Sequence, residues 1–289
     1  MTRFRLHLAY EGTSFSGWAK QPGLRTVQGV LESVLALILH GVDSPPVLTV
    51  AGRTDTGVHA SGQVAHVDLT PQQCAVLSAR HGIPTPVPIA TQLCRRLNAA
   101  RGSATDVIVH DAFEVSPDFD ARFSAVWRRY EYRIADRSAL KDPLQRHRTA
   151  WVESHLDEHA MNRAAQSLVG FHDFASFCKA REGATTIRTL QKFSWDRDSS
   201  GVLIGSVIAD AFCHSMVRSL TGACVASGRG MLDPTRLVQL RDECRRTSEF
   251  RVMPALGLTL CEVGYPDASE LAHRAEQTRG LRRYDQGAP

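Results

Sequence analysis

The sequence predicts an α+β protein made of two related domains, and three observations lead there. A chain of 289 residues with 43% hydrophobic and 22% charged residues suits one large globular domain or two of moderate size. Segments with the period-two alternation of half-buried strands occur in both halves. Helical apolar stripes are interspersed with them in a similar order in each half, although no literal sequence repeat links the halves.

Phe4, Leu6, Leu8 and Tyr10 alternate with Arg3, Arg5 and His7, which predicts a strand with one apolar and one basic face, closed by a turn at Glu11-Gly12-Thr13. Thr26 is placed to cap a helix whose Val27, Val30, Leu31, Val34, Leu35 and Ile38 share a stripe, ending near His40-Gly41. Short strands are expected at Val47 to Ala51 and Val64 to Leu69, and a loop at 78–92, where Pro84, Pro86 and Pro88 recur.

The second half opens with a strand at Arg129 to Ile134, with Tyr130, Tyr132 and Ile134 inward. A helix from about Asp157 to Val169 follows, then a hairpin of Ile187 to Trp195 and Val202 to Ala209 through Asp198-Ser199-Ser200-Gly201. Phe212 to Ser227 reads as a helix, with Cys213, Met216, Leu220 and Cys224 inward and Gly228 as its stop. Leu258 to Val263 reads as a last strand. The domains are expected at residues 1–108 and 109–265, with a loose tail at 266–289.

Composition excludes several classes of function. No apolar run approaches the roughly 18 residues of a membrane span, and Met1 to Tyr10 lacks the apolar core of a signal peptide, so a cytoplasmic protein is expected. The seven cysteines are odd in number and none forms a C-x-x-C pair, which predicts reduced, packed thiols. Only four of the 34 basic residues are lysines and none follows a glycine, so a Walker A loop is absent. The arginine excess within a net charge of +4 fits either a coding bias or phosphate recognition.

Four local patterns carry candidate chemistry. Asp55 lies in Gly52-Arg53-Thr54-Asp55-Thr56-Gly57-Val58-His59-Ala60, where Arg53 is placed to keep a carboxylate ionised at the rim of a cleft; an aspartate that only shapes the turn fits equally. The nearest acids in sequence, Asp43 and Asp68, are too far for a metal-ligand spacing, which favours nucleophilic or glycosidic-bond chemistry. Residues 121–148 place Arg122, Arg128, Arg129, Arg133, Arg137, Lys141, Arg146 and Arg148 among Trp127, Tyr130 and Tyr132. That mixture suits phosphate contact with base stacking, or a solvated face beside buried aromatics.

His214 and Arg218, four apart, share a helix face; the arginine either meets an anion such as Asp55 or reaches solvent. His155-Leu156-Asp157-Glu158-His159 matches the H-x-x-E-H pattern of zinc hydrolases, with no third ligand identifiable.

Several motifs together resemble the TruA-type tRNA pseudouridine synthases. They are Tyr10 to Trp18, Gln21-Pro22, Thr26 to Glu32, Gly52 to Ala60 with Gly62-Gln63-Val64, and Arg95-Arg96-Leu97-Asn98. Asp120 to Ala125 with Arg128 to Tyr132, Gly170 to Phe177 and Phe212 to Arg218 complete an ordered match over residues 4–264. The resemblance implies two related ferredoxin-like α/β domains with antiparallel sheets, the pseudouridine synthase fold, and a catalytic cleft between them.

It also implies isomerisation of uridine to pseudouridine at positions 38 to 40 of the tRNA anticodon stem-loop, with base flipping, no cofactor and no metal, by a homodimer in which one tRNA contacts both subunits. Residue by residue, it assigns Asp55 as nucleophile, Tyr130 as the ring stacked on the target uracil, Arg218 as the ion-pair partner of the aspartate, and Arg53 as a holder of the flipped nucleotide. Ala19, Ser215, Ser219 and the 78–92 stretch depart from the family pattern; they bear on substrate breadth and local RNA contacts and touch none of Asp55, Tyr130 and Arg218. The alternatives are a tRNA-binding module without catalysis and a zinc hydrolase using His155, Glu158 and His159.

Overall fold

The computed structural model of the protein describes residues 1–80, 83–84, 86–102, 104–179 and 185–280. The chain forms two compact units, Met1–Val126 with Glu262–Arg279, and Trp127–Cys261. Each is a mixed α+β unit with an antiparallel sheet.

In the first unit β1 (Thr2–Tyr10) leads to α1 (Val27–Ile38), β2 (Thr49–Val50) and β3 (His59–Leu69), then α2 (Pro71–Ser78), the short pair β4 (Ala79–Arg80) and β5 (Ile83–Pro84), α3 (Ile89–Ala100) and β6 (Val107–Val115). β1 is central, antiparallel to β6 on one side and β3 on the other, with Leu6 opposite both Ala65 and Ala112. The alternation read from the sequence is realised: Phe4, Leu6, Leu8 and Tyr10 are buried. Thr26 caps α1 by accepting from the Gly29 N–H. The basic face of β1 is covered rather than open, because Arg3 forks Asp68 and reaches the Phe119 carbonyl, and Arg5 lies over the rings of Phe119 and Tyr265.

The second unit begins with β7 (Trp127–Ala135) and β8 (Ala150–Trp151), then α4 (Glu158–Ser167), β9 (Gly170–Asp173), the hairpin β10 (Ile187–Arg197) and β11 (Leu203–Ala209), α5 (Met216–Gly228) and α6 (Pro234–Asp242). Its strand order is β7-β11-β10-β9, all antiparallel, with β8 joined parallel to β7. α4 packs on α5 and β10, and Asn162 fixes that contact by donating to the Trp195 carbonyl at 2.7 Å and accepting from the Trp195 N–H at 2.9 Å. Asp198 closes the hairpin turn by accepting from the N–H groups of Ser200 and Val202, as the sequence suggested. β12 (Leu258–Gly264) then carries the chain back to the first unit, where α7 (Leu271–Arg279) ends the described residues.

The units divide after Val126 rather than at 108, because β6 pairs with β1 and so belongs wholly to the first unit. The expected loose tail is structured as far as Arg279: Leu271 and Ala275 are buried, Ser124 donates to the Leu271 carbonyl, and Tyr265 donates to Ala121 O at 2.7 Å. The 78–92 stretch is not one loop either, since α3 starts at Ile89 immediately after Pro88. Cys178 and Cys213 are joined as a disulfide with their Cα atoms 5.8 Å apart, which corrects the expectation of seven reduced thiols. The fold brings together residues 35 apart that spacing could not pair.

Candidate active site

The loop between β2 and β3 is irregular but tightly held. Ala51 N–H donates to Val64 O at 2.8 Å, Trp18 N–H to Thr54 O at 3.1 Å, Gly57 N–H to Phe15 O at 3.3 Å, and Val58 N–H closes a turn on Asp55 O at 3.1 Å. The Tyr10-to-Trp18 motif therefore acts as a cradle for the Asp55 motif. Its glycines are needed for close approach: a Cβ on Gly12 would stand 2.1 Å from Val58 O, and one on Gly17, which has φ +85°, 2.8 Å from Thr54 O. Phe15 and Trp18 are buried beneath, and Arg25 stacks over Phe15 while it forks Asp106 at 2.7 and 2.8 Å.

Side chains complete the hold. The hydroxyls of Tyr10 and Thr54 are 2.8 Å apart, and the Gln63 amide donates to Tyr10 OH at 3.1 Å and to Gly52 O at 2.8 Å. Burial pushes the Tyr10 phenol up to about 12 against the opposing effect of the Thr54 and Gln63 bonds, so it stays protonated near neutral pH. Gly12 N–H donates to His59 Nδ1 at 2.9 Å, and the Glu11 carboxylate lies 3.2 Å from the same nitrogen. Thr54 is buried, Asp55 half-buried and Arg53 exposed.

The second unit holds Tyr130 and Arg218. Tyr130, on β7 opposite Val207 of β11, is 8% exposed and meets Phe212 edge to face, with ring centroids 5.1 Å apart. Arg218 lies one turn into α5, where its Nε donates to Met253 O at 2.7 Å while Met253 N–H donates to Arg218 O at 3.1 Å. The segment that carries Met253 can lie this close because Gly222 is on the facing side of the helix; a Cβ there would be 2.0 Å from Arg251 O. Tyr132, buried next to this segment, donates to Pro254 O at 2.7 Å, and burial pushes its phenol up despite the Arg218 cation.

α5 starts four residues later than expected, at Met216, after Ser215 takes the left-handed conformation with φ +64°. His214 consequently lies outside the helix and exposed, and shares no helix face with Arg218. Three of the basic residues of β7 have protein partners: Arg128 donates to Asp210 O, Arg129 pairs with Glu131 and Arg133 with Asp198. Glu131 stands two residues from Arg129 on the same strand, whereas Asp198 comes from the hairpin turn and Asp210 from the end of β11. Arg122 before the strand and Arg137, Arg146 and Arg148 beyond it are exposed, while Lys141 pairs with Glu153 at 2.8 Å. In the H-x-x-E-H stretch His155 precedes the helix cap Asp157, Glu158 is 3.5 Å from Arg197, and no group of three metal-binding side chains occurs among the described residues.

Phe212, Gly222 and Met253 were not singled out by sequence reasoning as supports of the site. Phe212 and Gly222 carry signals only in retrospect, and Met253 acts through its main chain, which has no signature in sequence.

The first unit thus carries a glycine-cradled aspartate, and the second an edge-packed aromatic ring and a braced arginine. The family model described as tRNA pseudouridine synthase matches residues 164–266. Over nearly the whole chain the protein is similar to "tRNA pseudouridine synthase A" of Leifsonia xyli subsp. xyli, at 66% identity covering 97% of this chain and 98% of the relative. The protein of that name from Cutibacterium acnes is 50% identical, covering 99% and 96%, and that from Streptomyces avermitilis is 48% identical, covering 97% and 94%. The chain belongs to the tRNA pseudouridine synthase A family.

Proposed function

We propose that the protein isomerises uridine to pseudouridine in tRNA, at positions 38 to 40 of the anticodon stem-loop, with Asp55 as the nucleophile. The observation that carries this reading is the Asp55 carboxylate held half-buried on a loop bonded to its cradle by the main chain at Thr54 and Gly57. A carboxylate that must act on one sugar carbon gains from being fixed before the substrate arrives.

In the reaction the uridine leaves the base stack, exposing C1′ and the base. Asp55 promotes cleavage of the N1–C1′ bond, the uracil turns within the site, and a C5–C1′ bond forms. The C5 hydrogen leaves as a proton and N1 gains one, so the change is an isomerisation that balances without oxidant, hydrolysis or cofactor. Tyr130 offers a ring for the uracil, Arg53 holds the flipped nucleotide, and the terminal nitrogens of Arg218 serve as the ion-pair partner of Asp55 while Nε remains on Met253. The exposed cations Arg137, Arg146 and Arg148 suit the RNA backbone. The working form is a cytoplasmic homodimer with one tRNA contacting both subunits.

The test is release of tritium from tRNA labelled at uridine C5, with pseudouridines mapped in the product. Wild type releases tritium and places pseudouridine at positions 38 to 40, and Asp55→Asn stops both. Release by Asp55→Asn at the wild-type rate overturns the assignment of the nucleophile, and tRNA binding without release by the wild type reduces the protein to a binding module.

A further inference from the structure

The stretch from Gly52 to Val58 has no regular secondary structure, and besides its main-chain bonds to Phe15 and Trp18 the position of its carboxylate depends on side chains that grip the loop from below. Three side chains do so, and all are buried: Gln63 is 0%, Tyr10 4% and Thr54 6% exposed. They come from three different places, the end of β1, the loop itself and β3.

The chain of bonds starts from the hydrogens of Gln63. The Gln63 amide has two, one on Gly52 O and one on Tyr10 OH. That oxygen shares a further hydrogen bond with Thr54 Oγ1, 2.8 Å away, in which either hydroxyl can donate. The relay Gln63 to Tyr10 to Thr54 thus anchors the loop at Gly52 and at Thr54, on either side of exposed Arg53, and ends on the residue next to Asp55. It is completed by the Trp18 N–H on Thr54 O. A satisfied buried network of this kind holds one geometry, and removing one hydroxyl leaves its neighbours short of a partner.

We propose that Tyr10, Thr54 and Gln63 are positioning residues for the reaction, a buried relay that sets the place of the Asp55 carboxylate without touching the substrate. This rests on the reading of Asp55 as nucleophile. The relay acts on the chemical step, because a carboxylate displaced by about an ångström loses rate steeply, and it leaves RNA affinity alone, because its members are shielded from solvent.

The experiment measures single-turnover pseudouridine formation, tRNA Kd and thermal unfolding for Tyr10→Phe, Thr54→Val, Thr54→Ser and the double variant Tyr10→Phe/Thr54→Val. Tyr10→Phe keeps the ring against Phe15 and Trp18, and Thr54→Val keeps the shape. Each slows the single-turnover rate roughly tenfold, the worth of about one hydrogen bond, with Kd within about twofold. The double variant is no slower than the slower single one, since both remove the same bond, and Thr54→Ser recovers most of the rate.

A lower unfolding temperature with an unchanged single-turnover rate in both Tyr10→Phe and Thr54→Val shows a merely structural network and overturns the proposal. Should one of the two fail to fold, the other removes the opposite end of the same bond and decides alone. Failure of the underlying reading is a separate result: it is seen as activity retained by Asp55→Asn, whatever the relay variants do.

Discussion

Arg218 and Met253 hold each other twice, the guanidinium Nε donating to the Met253 carbonyl at 2.7 Å and the Met253 N–H donating to the Arg218 carbonyl at 3.1 Å. One nitrogen of the arginine is thereby committed to the protein, and the planar fork turns its remaining donors in a fixed direction. A lysine keeps the charge but has a single head, which cannot remain on Met253 and also meet a carboxylate in two places. Arg218→Lys is therefore expected to lower pseudouridine formation roughly 100-fold, the order seen for removal of one preorganised donor, with tRNA binding little changed. Wild-type turnover in that variant would mean that charge alone suffices.

The arrangement depends on a glycine four residues further along α5. A methyl group on Gly222 meets Arg251 O at 2.0 Å, and the obstacle is backbone, so the 250–254 segment must move away from the helix. Gly222→Ala should cost about 1–3 kcal/mol, the usual range for overpacking, and should lower activity more than stability because Met253 moves with the segment. Thermal unfolding with turnover measured well below the transition separates the two effects. An alanine variant as active and as stable as the wild type would show that the segment yields without disturbing Arg218.

Tyr130 packs edge to face against Phe212, whose ring stands at 86° to it. Edge-to-face pairs contribute about 0.5–1.5 kcal/mol beyond their area, so Phe212→Leu, which keeps apolar bulk and loses the ring edge, should reduce kcat/KM about two- to tenfold. If Tyr130 carries the target base, the loss appears with tRNA and leaves the unfolding temperature nearly constant. No loss of kcat/KM would detach Phe212 from the site.

What could be read in the sequence was local. The alternation of β1, the Thr26 cap of α1 and the Asp198 turn of the hairpin each specify their structure within a few residues, and all three were legible. Of the four described helices that were overlooked, two have marked starts: Thr70-Pro71 opens α2 with a capping box to Gln73, and Asp233-Pro234 opens α6. β6 was lost because it is an edge strand, buried only at Val107 and Val109 and polar from His110 to Asp111, so the expected domain boundary fell inside it. At the site, Asp55 and its glycine cradle carry motifs. The brace on Arg218 does not, because it is a carbonyl 35 residues away whose side-chain identity is immaterial.

Asp136 tests the electrostatics of the second unit through pH. Its carboxylate is fully buried, forked by Arg197 at 2.9 and 3.0 Å and bonded by the N–H groups of Leu156 and Ser138. Burial alone would push this carboxyl up, but the Arg197 guanidinium and the two backbone donors more than offset it, and the net position is below the usual carboxylate range. A carboxyl held lower in the folded than in the unfolded chain adds stability that is fully present above the unfolded value near 4, and that is lost as pH falls through the folded value. Asp136→Asn keeps the shape, removes the charge and leaves Arg197 facing an amide, so at pH 7 it should cost about 3 kcal/mol, the order for breaking a buried pair. Urea unfolding of both proteins from pH 7 down to about pH 3 should show the gap narrowing only in the acid range, as the wild-type carboxyl takes up its proton. A gap of constant size across that range would assign the stabilisation to shape and hydrogen bonding instead of to the ionised pair.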